Sequence, residues 1–317
     1  MINVLVTTAG SASGVNCITA LKSQEELDVN IIASDFSEYG AGLHLADSYF
    51  TTPPFSNEKE YIRKVVKICE DEKVDVVLPV FSNDVYIFSK YEYELKSSGL
   101  KFFIPPFETV NLLRDKWLAY KFYQKNEIPT PKTHKFDQKK PVEFPIFVKP
   151  IIGSGSKKSF LIKTQNELDF YWKSLKSGKF IFQTYIGAPE FTVDILIGNH
   201  NKILGLVARQ RLKTKNGLAI VSRTVDSKVI TPLVERLITK IDLKGPLNLQ
   251  YFLLPNQEPM VIEINTRFAA GGLPLTIKSG INLPLETIKL ALGLSPTPLE
   301  GYEPGLTMIR YYSEVFV

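Results

Sequence analysis

A chain of 317 residues is long enough for two domains of ordinary size, each with a substantial core. Its 44% hydrophobic, 22% charged and 11% aromatic residues suit a folded protein and exclude a mainly disordered, collagen-like or coiled-coil chain. Lys and Arg number 38 against 33 Asp and Glu, a formal net charge of +5, and no long basic block concentrates that excess, so nucleic acid is not the expected partner.

In chain order, residues 2–6 read as a short buried strand, 8–14 as a small-residue turn and 15–21 as a helix. Residues 29–33 supply a second strand, 61–72 an amphipathic helix, 74–79 a third strand and 101–104 a fourth. Strands alternating with helices through short connections predict a parallel sheet covered on both faces. The pattern changes at Pro105-Pro106: one helix from about Thr109 carries Arg114-Asp115-Lys116-Trp117, and a domain boundary is placed near residue 108. Beyond it, residues 180–185, 191–197, 203–212, 247–254 and 259–265 alternate well and predict an α+β second domain with antiparallel sheets. Cys17 and Cys69 fall in predicted helices without metal-ligand spacing, which argues against a disulfide framework or zinc site and suits a reducing cytoplasm. No apolar run reaches the ~18 residues of a membrane span, and the N-terminus lacks a basic segment, so neither a membrane nor a secretory role is expected.

Two regions carry candidate chemistry. In the first, the turn from Gly10 and Ser11 to Gly14 joins a strand to a helix, with Asp35 downstream where a ribose carboxylate would sit. That suggests an NAD(P)-dependent oxidoreductase, but the Gly10-x-x-x-Gly14 spacing lacks the close-approach glycine of the dinucleotide fingerprint. Binding of another anion, or simple tight packing of helix on strand, is the alternative.

The second region spans residues 114–272. Lys116 opens a helix after Asp115, and Lys149 ends an apolar strand, where its ammonium must enter a polar cavity or reach water. Gly153-Ser154-Gly155-Ser156-Lys157 is a turn whose backbone N–H groups can wrap phosphate oxygens, although an ordinary hairpin fits equally and the Walker A spacing is absent. Gln183, Tyr185 and Ile186 end a strand where an adenine edge could be read, and Glu190 could accept from ribose hydroxyls. In 261–267, alternation puts Glu263 and Asn265 on one face and Ile262 and Ile264 on the other, with Gln250 on the preceding strand as a third oxygen donor. Oxygen ligands with little charge suit Mg²⁺ shared with nucleotide phosphates, and Arg267 is placed to stabilise phosphoryl charge. Finally, Arg209, Arg211, Lys213 and Lys215 alternate, with Arg223 on a return strand. They read either as a charged sheet edge or as cations of which Arg209 and Arg223 face an anionic acceptor.

Arg114-Asp115-Lys116-Trp117, Phe147-Val148-Lys149-Pro150, the Gly153 to Lys157 turn, Glu190-Phe191-Thr192-Val193-Asp194, Ile262 to Arg267, Gly271-Gly272 and Gly280 to Pro284, in this order, resemble the ATP-grasp superfamily. The branch is that of carbamoyl-phosphate synthase large-subunit domains and related carboxylate–amine ligases. The resemblance implies an α/β, Rossmann-like pre-ATP-grasp domain at 1–108 and a two-lobed α+β ATP-grasp domain at 109–317, its small lobe at about 115–186. It implies ATP phosphates on Lys116, Lys149 and the Gly153 to Lys157 loop, adenosine on Gln183, Tyr185, Ile186 and Glu190, and Mg²⁺ on Gln250, Glu263 and Asn265. Two metal ions are expected, with Mn²⁺ able to substitute. Lys149 and Arg267 are then the catalytic residues, Gly271-Gly272 approaches an acyl phosphate, and the Gly10 to Asn16 turn faces the acceptor instead of a dinucleotide. The partners are a small carboxylate and an amine or similar nucleophile, and a homodimer is compatible because many relatives so implied are dimers. Three positions depart from the family pattern: Lys158 replaces a glycine, Gln183 a glutamate and Thr266 a proline. The rival readings are the oxidoreductase and a non-catalytic nucleotide-binding regulator.

Overall fold

The structure, a computed structural model, describes residues 1–135, 143–153, 155, 158–175, 179–298 and 301–317. Strands β1 (Ile2–Thr7), β2 (Val29–Asp35), β3 (Ser48–Thr51) and β4 (Val76–Pro79) form a parallel sheet in the order β3-β2-β1-β4. The helices between and after them are α1 (Ala12–Lys22), α2 (Ala41–Leu45), α3 (Glu58–Asp71), α4 (Ser82–Lys90) and α5 (Glu92–Ser97). Period-two alternation divides the buried side chains between two cores. Leu5, Ile32 and Val77 point to one that includes Tyr61, Val65 and Phe88. Val4, Val6, Ile31 and Leu78 point to the other, which is completed by Phe268, Leu273, Leu285 and Ile288 from the far end of the chain.

Two sequence expectations change here. Residues 101–104 form no strand; they run beside β4, where Val77 N–H donates to the Lys101 carbonyl (2.8 Å). The fourth strand is instead β3, too short and too polar to stand out by pattern. The single helix expected from about Thr109 is two, α6 (Phe107–Arg114) and α7 (Lys116–Lys125). Asp115 separates them because its carboxylate accepts the N–H groups of Trp117 and Leu118 (both 2.9 Å) and caps α7, a contact worth about 0.5–2 kcal/mol.

A small antiparallel sheet follows, of β5 (Thr133–Lys135), β6 (Ile146–Pro150), β7 (Phe160–Ile162) and β8 (Phe180–Thr184) in the order β5-β8-β6-β7. Ile146, Val148 and Phe182 pack on helix α8 (Gln165–Leu175) through Leu168 and Leu175. Alternation therefore turns Lys149, Ile181 and Gln183 to the opposite face, where Lys149 pairs across the ladder with Ile181.

The large sheet has six antiparallel strands in the order β13-β12-β9-β10-β11-β14: β9 (Glu190–Ile197), β10 (Ile203–Lys215), β11 (Leu218–Thr224), β12 (Gly245–Leu253), β13 (Pro259–Asn265) and β14 (Thr307–Ile309). Its apolar face, with Val193, Ala208, Leu249 and Ile264, packs on α7 and on α9 (Thr231–Ile238) through Tyr123, Val234 and Leu237. Helices α10 (Leu273–Lys278) and α11 (Leu283–Leu292) supply the Leu273, Leu285 and Ile288 that close the N-terminal core. The architecture is thus α/β followed by α+β, and strand pairing sets the registers Gln250↔Glu263, Asn248↔Asn265, Gln250↔Thr192 and Thr192↔Arg209. One polar face consequently collects Glu263, Asn265, Gln250, Asn248, Asp194 and Arg209.

Candidate active site

Lys149 and Glu263 meet where the two antiparallel sheets face one another. Lys116, Lys149, Gln183, Ile262 and Glu263 line a small cavity there with Tyr120 and Tyr123. Ile262 was expected on the apolar face with Ile264. A β-bulge corrects this: Gln250 pairs with Glu263 but Tyr251 with Val261, so Ile262 is the extra residue. Val261 takes the core position, fully buried, and Ile262 lines the cavity beside Glu263.

Three cations act on this one carboxylate. Burial raises the pKa of Glu263, but Lys116, Lys149, the Asn265 amide and Arg267 together hold it below the ordinary value. Burial also pulls Lys149 down to about 8, against the opposing pull of Glu263 and helped by the repulsion of Lys116. Lys149 is only 6% exposed. The Lys116 ammonium donates to the Gly153 carbonyl (3.0 Å), which ties the start of α7 to the glycine turn. Within the turn, Gly155 has a positive φ (+66°), whereas Ser154, Ser156 and Lys157 lie outside the described residues. Lys158 has φ +59°, a left-handed conformation that glycine adopts at least cost.

The amides of Gln250 and Asn265 both donate to Glu263 Oε1 (3.1 Å each). One carboxylate and two amide carbonyls in mutual reach form an oxygen donor set of low charge. That set fits Mg²⁺ completed by phosphate oxygens, provided that Gln250 turns its Oε1 inward. Among the described residues no group of three or more His, Cys, Asp or Glu gathers elsewhere as a metal site. Arg267 lies at the end of β13, its guanidinium donating to Phe268 O (2.7 Å), Ser82 Oγ (3.0 Å) and Asn265 Oδ1 (3.5 Å). Burial lowers its pKa while Glu263 and Asp194 hold it up.

Of the residues expected to hold a nucleoside, Gln183 is buried and donates to Thr133 Oγ1 (3.1 Å). Tyr185 is 44% exposed and Ile186 partly buried in the link to β9. Glu190, first residue of β9, is raised by burial against the charge of Arg211, with which it forms an ion pair.

The basic row divides: β9 pairs with β10 only as far as Gln210, so Arg209 lies inside the sheet, whereas Arg211, Lys213 and Lys215 pair with β11 alone, along an open hairpin edge. Arg209 does not face a cleft: it is 2% exposed and sits 2.9 Å from Asp194 Oδ2. Asp194 also accepts from Asn248 (2.8 Å) and Thr276 (2.6 Å). Gly272 closes over the pair, since a Cβ there would stand 1.8 Å from Arg209 Nε. Arg223 pairs with Gln210, so it points to the face opposite Arg209, where it is exposed and donates to Thr307 Oγ1 (2.9 Å). Bulges at 211–214 break the regular alternation and leave Lys213 and Lys215 in solvent.

The glycine turn also differs from its first reading. Asp35 is buried and accepts Gly10 N–H (2.8 Å) and Ser37 N–H (3.1 Å), so its carboxylate holds the turn and is not available to a ribose. Ser11 caps α1 by accepting Gly14 N–H (3.1 Å). Asn16 reaches across to the Ala270 carbonyl (2.8 Å) and accepts from Arg310 (3.4 Å), which brings the turn against Gly271-Gly272. Sequence reading missed Arg310. No local pattern marks it, because β14 before it is a three-residue strand with two residues exposed.

The ATP-grasp domain family model matches residues 113–271, half of the chain, and a PylC-like N-terminal domain model matches residues 4–103. The chain belongs to the ATP-grasp family. It is 23% identical, over 94% of its length, to the carbamoyl phosphate synthase large chain of Pyrococcus furiosus, of which it covers 30%. To the 3-methyl-D-ornithine–L-lysine ligase of Methanosarcina mazei it is 30% identical over 72% of this chain and 57% of that one. The N5-carboxyaminoimidazole synthetase of Staphylococcus aureus, solved with ADP, superposes with a TM-score of 0.76 at 16% identity, over 96% of this chain and 80% of that structure. The chain therefore spans about a third of the carbamoyl phosphate synthase large chain it matches. No helix among the described residues is long and apolar enough to cross a membrane.

Proposed function

We propose that the protein is an ATP-dependent ligase that joins a small carboxylate to an amine or similar nucleophile. The observation that carries this reading is the charge imbalance at the junction of the two antiparallel sheets, where Lys116, Lys149, Arg267 and Arg211 outnumber the carboxylates of Glu263 and Glu190. Such a surplus calls for a polyanion, and a nucleotide triphosphate supplies one. The family supports the reading, as do the ligase named among its relatives and the nucleotide in a superposable structure.

In this mechanism the acceptor carboxylate oxygen attacks the γ-phosphorus, the bond to the β,γ-bridging oxygen breaks, and ADP departs. The nucleophile then adds to the acyl carbon and releases phosphate. Lys116 and Lys149 bind the phosphates, and Arg267 stabilises charge on the group in transfer. Glu263, Gln250 and Asn265 would hold Mg²⁺, which when bound neutralises phosphate charge. Two ions, with Mn²⁺ as a substitute, belong to this reading. The Gly153 to Lys157 loop excludes water that would hydrolyse the acyl phosphate. Gln183, Tyr185, Ile186 and Glu190 hold the nucleoside. On the acceptor side, Asn16, Gly271 and Arg310 replace the Arg209 and Arg223 expected from sequence, because Arg209 is paired with Asp194, Arg223 points to the opposite face of the sheet, and Arg310 meets the turn through Asn16.

Two measurements test it. Thermal shift with MgATP against NAD(P)H should show stabilisation by MgATP alone. A phosphate-release screen of amino acids and other small carboxylates, each paired with amines, should then find turnover that needs both substrates. Stabilisation by NAD(P)H and not MgATP would overturn the reading.

A further inference from the structure

Arg211 is the cation at this junction that the mechanism leaves without a task. Its side chain is 6% exposed. One terminal nitrogen, Nη1, donates both to the Glu190 carboxylate and to Gln250 Oε1 (3.2 Å). The other, Nη2, donates to the Gly217 carbonyl (2.7 Å) in the turn between β10 and β11, while Nε is buried without a partner among the described residues. A single guanidinium thus bridges the residue assigned to the ribose and a residue assigned to the metal.

Both of those partners are claimed when the nucleotide arrives. Ribose hydroxyls donate to the Glu190 carboxylate, and Gln250 must turn Oε1 away from Arg211 to reach the cation. Arg211 would then share the Glu190 carboxylate with the ribose and keep one carbonyl, with Nε still unpartnered among the described residues, and a buried guanidinium with open donors and a shared counter-charge is disfavoured. Relief must come from an anion that arrives in the same event, between the ribose and the metal. Only the phosphate chain meets that description, and a planar fork suits its oxygens.

We infer that Arg211 is a nucleotide-phosphate ligand, held in reserve by Glu190 and Gln250 in the free protein and transferred to the phosphates on binding, with its bond to Gly217 as the pivot. The inference rests on the ATP-dependent reading above. It is tested by measuring dissociation constants for MgATP and for adenosine, by competition against a fluorescent ATP analogue, in wild type, Arg211→Met and Arg211→Lys. Arg211→Met should weaken MgATP at least about tenfold, the scale of a charge-assisted hydrogen bond, and leave adenosine unchanged or tighter because Glu190 is freed. Arg211→Lys keeps the charge without the fork and should lose about threefold or more for MgATP alone; it decides the matter if the Met variant does not fold. Equal losses for MgATP and adenosine would mean that Arg211 merely positions Glu190, and unchanged MgATP binding would leave it no role with phosphate. Either result overturns the inference while wild type still binds MgATP. Failure of wild type to bind MgATP removes the ATP-dependent reading and this inference together.

Discussion

Two charged clusters share the polar face of the large sheet, and they are built on opposite plans. Around Asp194 the charge is balanced within the protein: Arg209 neutralises it, Asn248 and Thr276 add hydrogen bonds to the carboxylate, and Gly272 packs over the guanidinium, whose Nε and Nη1 form no hydrogen bond among the described residues. Around Glu263 the balance stays open, because three cations converge on a carboxylate that is hydrogen-bonded to neutral amides, and the one other carboxylate that acts on it, Glu190, is paired with Arg211. The closed cluster fixes the sheet to α10 through Thr276, while the open one has charge left for a ligand. A charged residue type does not distinguish the two. What distinguishes them is whether its counter-charge belongs to the protein.

The comparison can be broken most severely at Arg209. Arg209→Leu leaves Asp194 buried without its cation and should cost about 3–5 kcal/mol of folding stability, read as a lowered midpoint in urea. A change within error would mean that the pair is not closed. Next in size is Glu263→Gln, which removes the negative charge on which Lys116, Lys149 and Arg267 converge. Turnover with MgATP and the acceptor found by screening should fall about 10³-fold, and the thermal midpoint should drop as well, because the cations around Glu263 lose the carboxylate whose charged form they stabilise. Near-normal turnover in a folded variant would rule out the metal role.

Lys149 gives the opposite sign to Arg209. Burial holds its pKa at about 8, below the unfolded value, so between about 8 and ~10.4 the unfolded chain binds more protons and stability rises with pH. The penalty for keeping it charged is therefore present at neutral pH and relieved above that window. Lys149→Met should be more stable than wild type at pH 7, by on the order of 3 kcal/mol, with the advantage shrinking as pH climbs past 8, while MgATP affinity drops. Loss of stability at pH 7 would place Lys149 with Arg209 as a structural cation. The smallest effects are expected at Lys213→Ala and Lys215→Ala, both in solvent, which should stay within about 0.5 kcal/mol and leave MgATP affinity unaltered by titration.

The sequence by itself determined the strand carrying Glu263 and Asn265, the placement of Lys149 at the end of an apolar strand, and the buried strand at 2–6. Each follows from local periodicity, a property of consecutive residues. The Asp115 break was also local, since an aspartate before two helix-favouring residues is a cap signal, and it was read through. Tertiary structure alone decided the rest. The bulge at Ile262 depends on how β13 meets β12, so a regular strand pattern sent that side chain to the wrong face. Arg209 looked like a ligand cation because its partner Asp194 is on another strand and its lid, Gly272, is 63 positions away in sequence. Asp35 looked free for a ribose because the N–H of Gly10 reaches it only once the turn is folded. Sequence shows which groups carry charge. Whether that charge is already neutralised is settled by contacts between distant segments, and in this protein that decides which cations are left for a ligand.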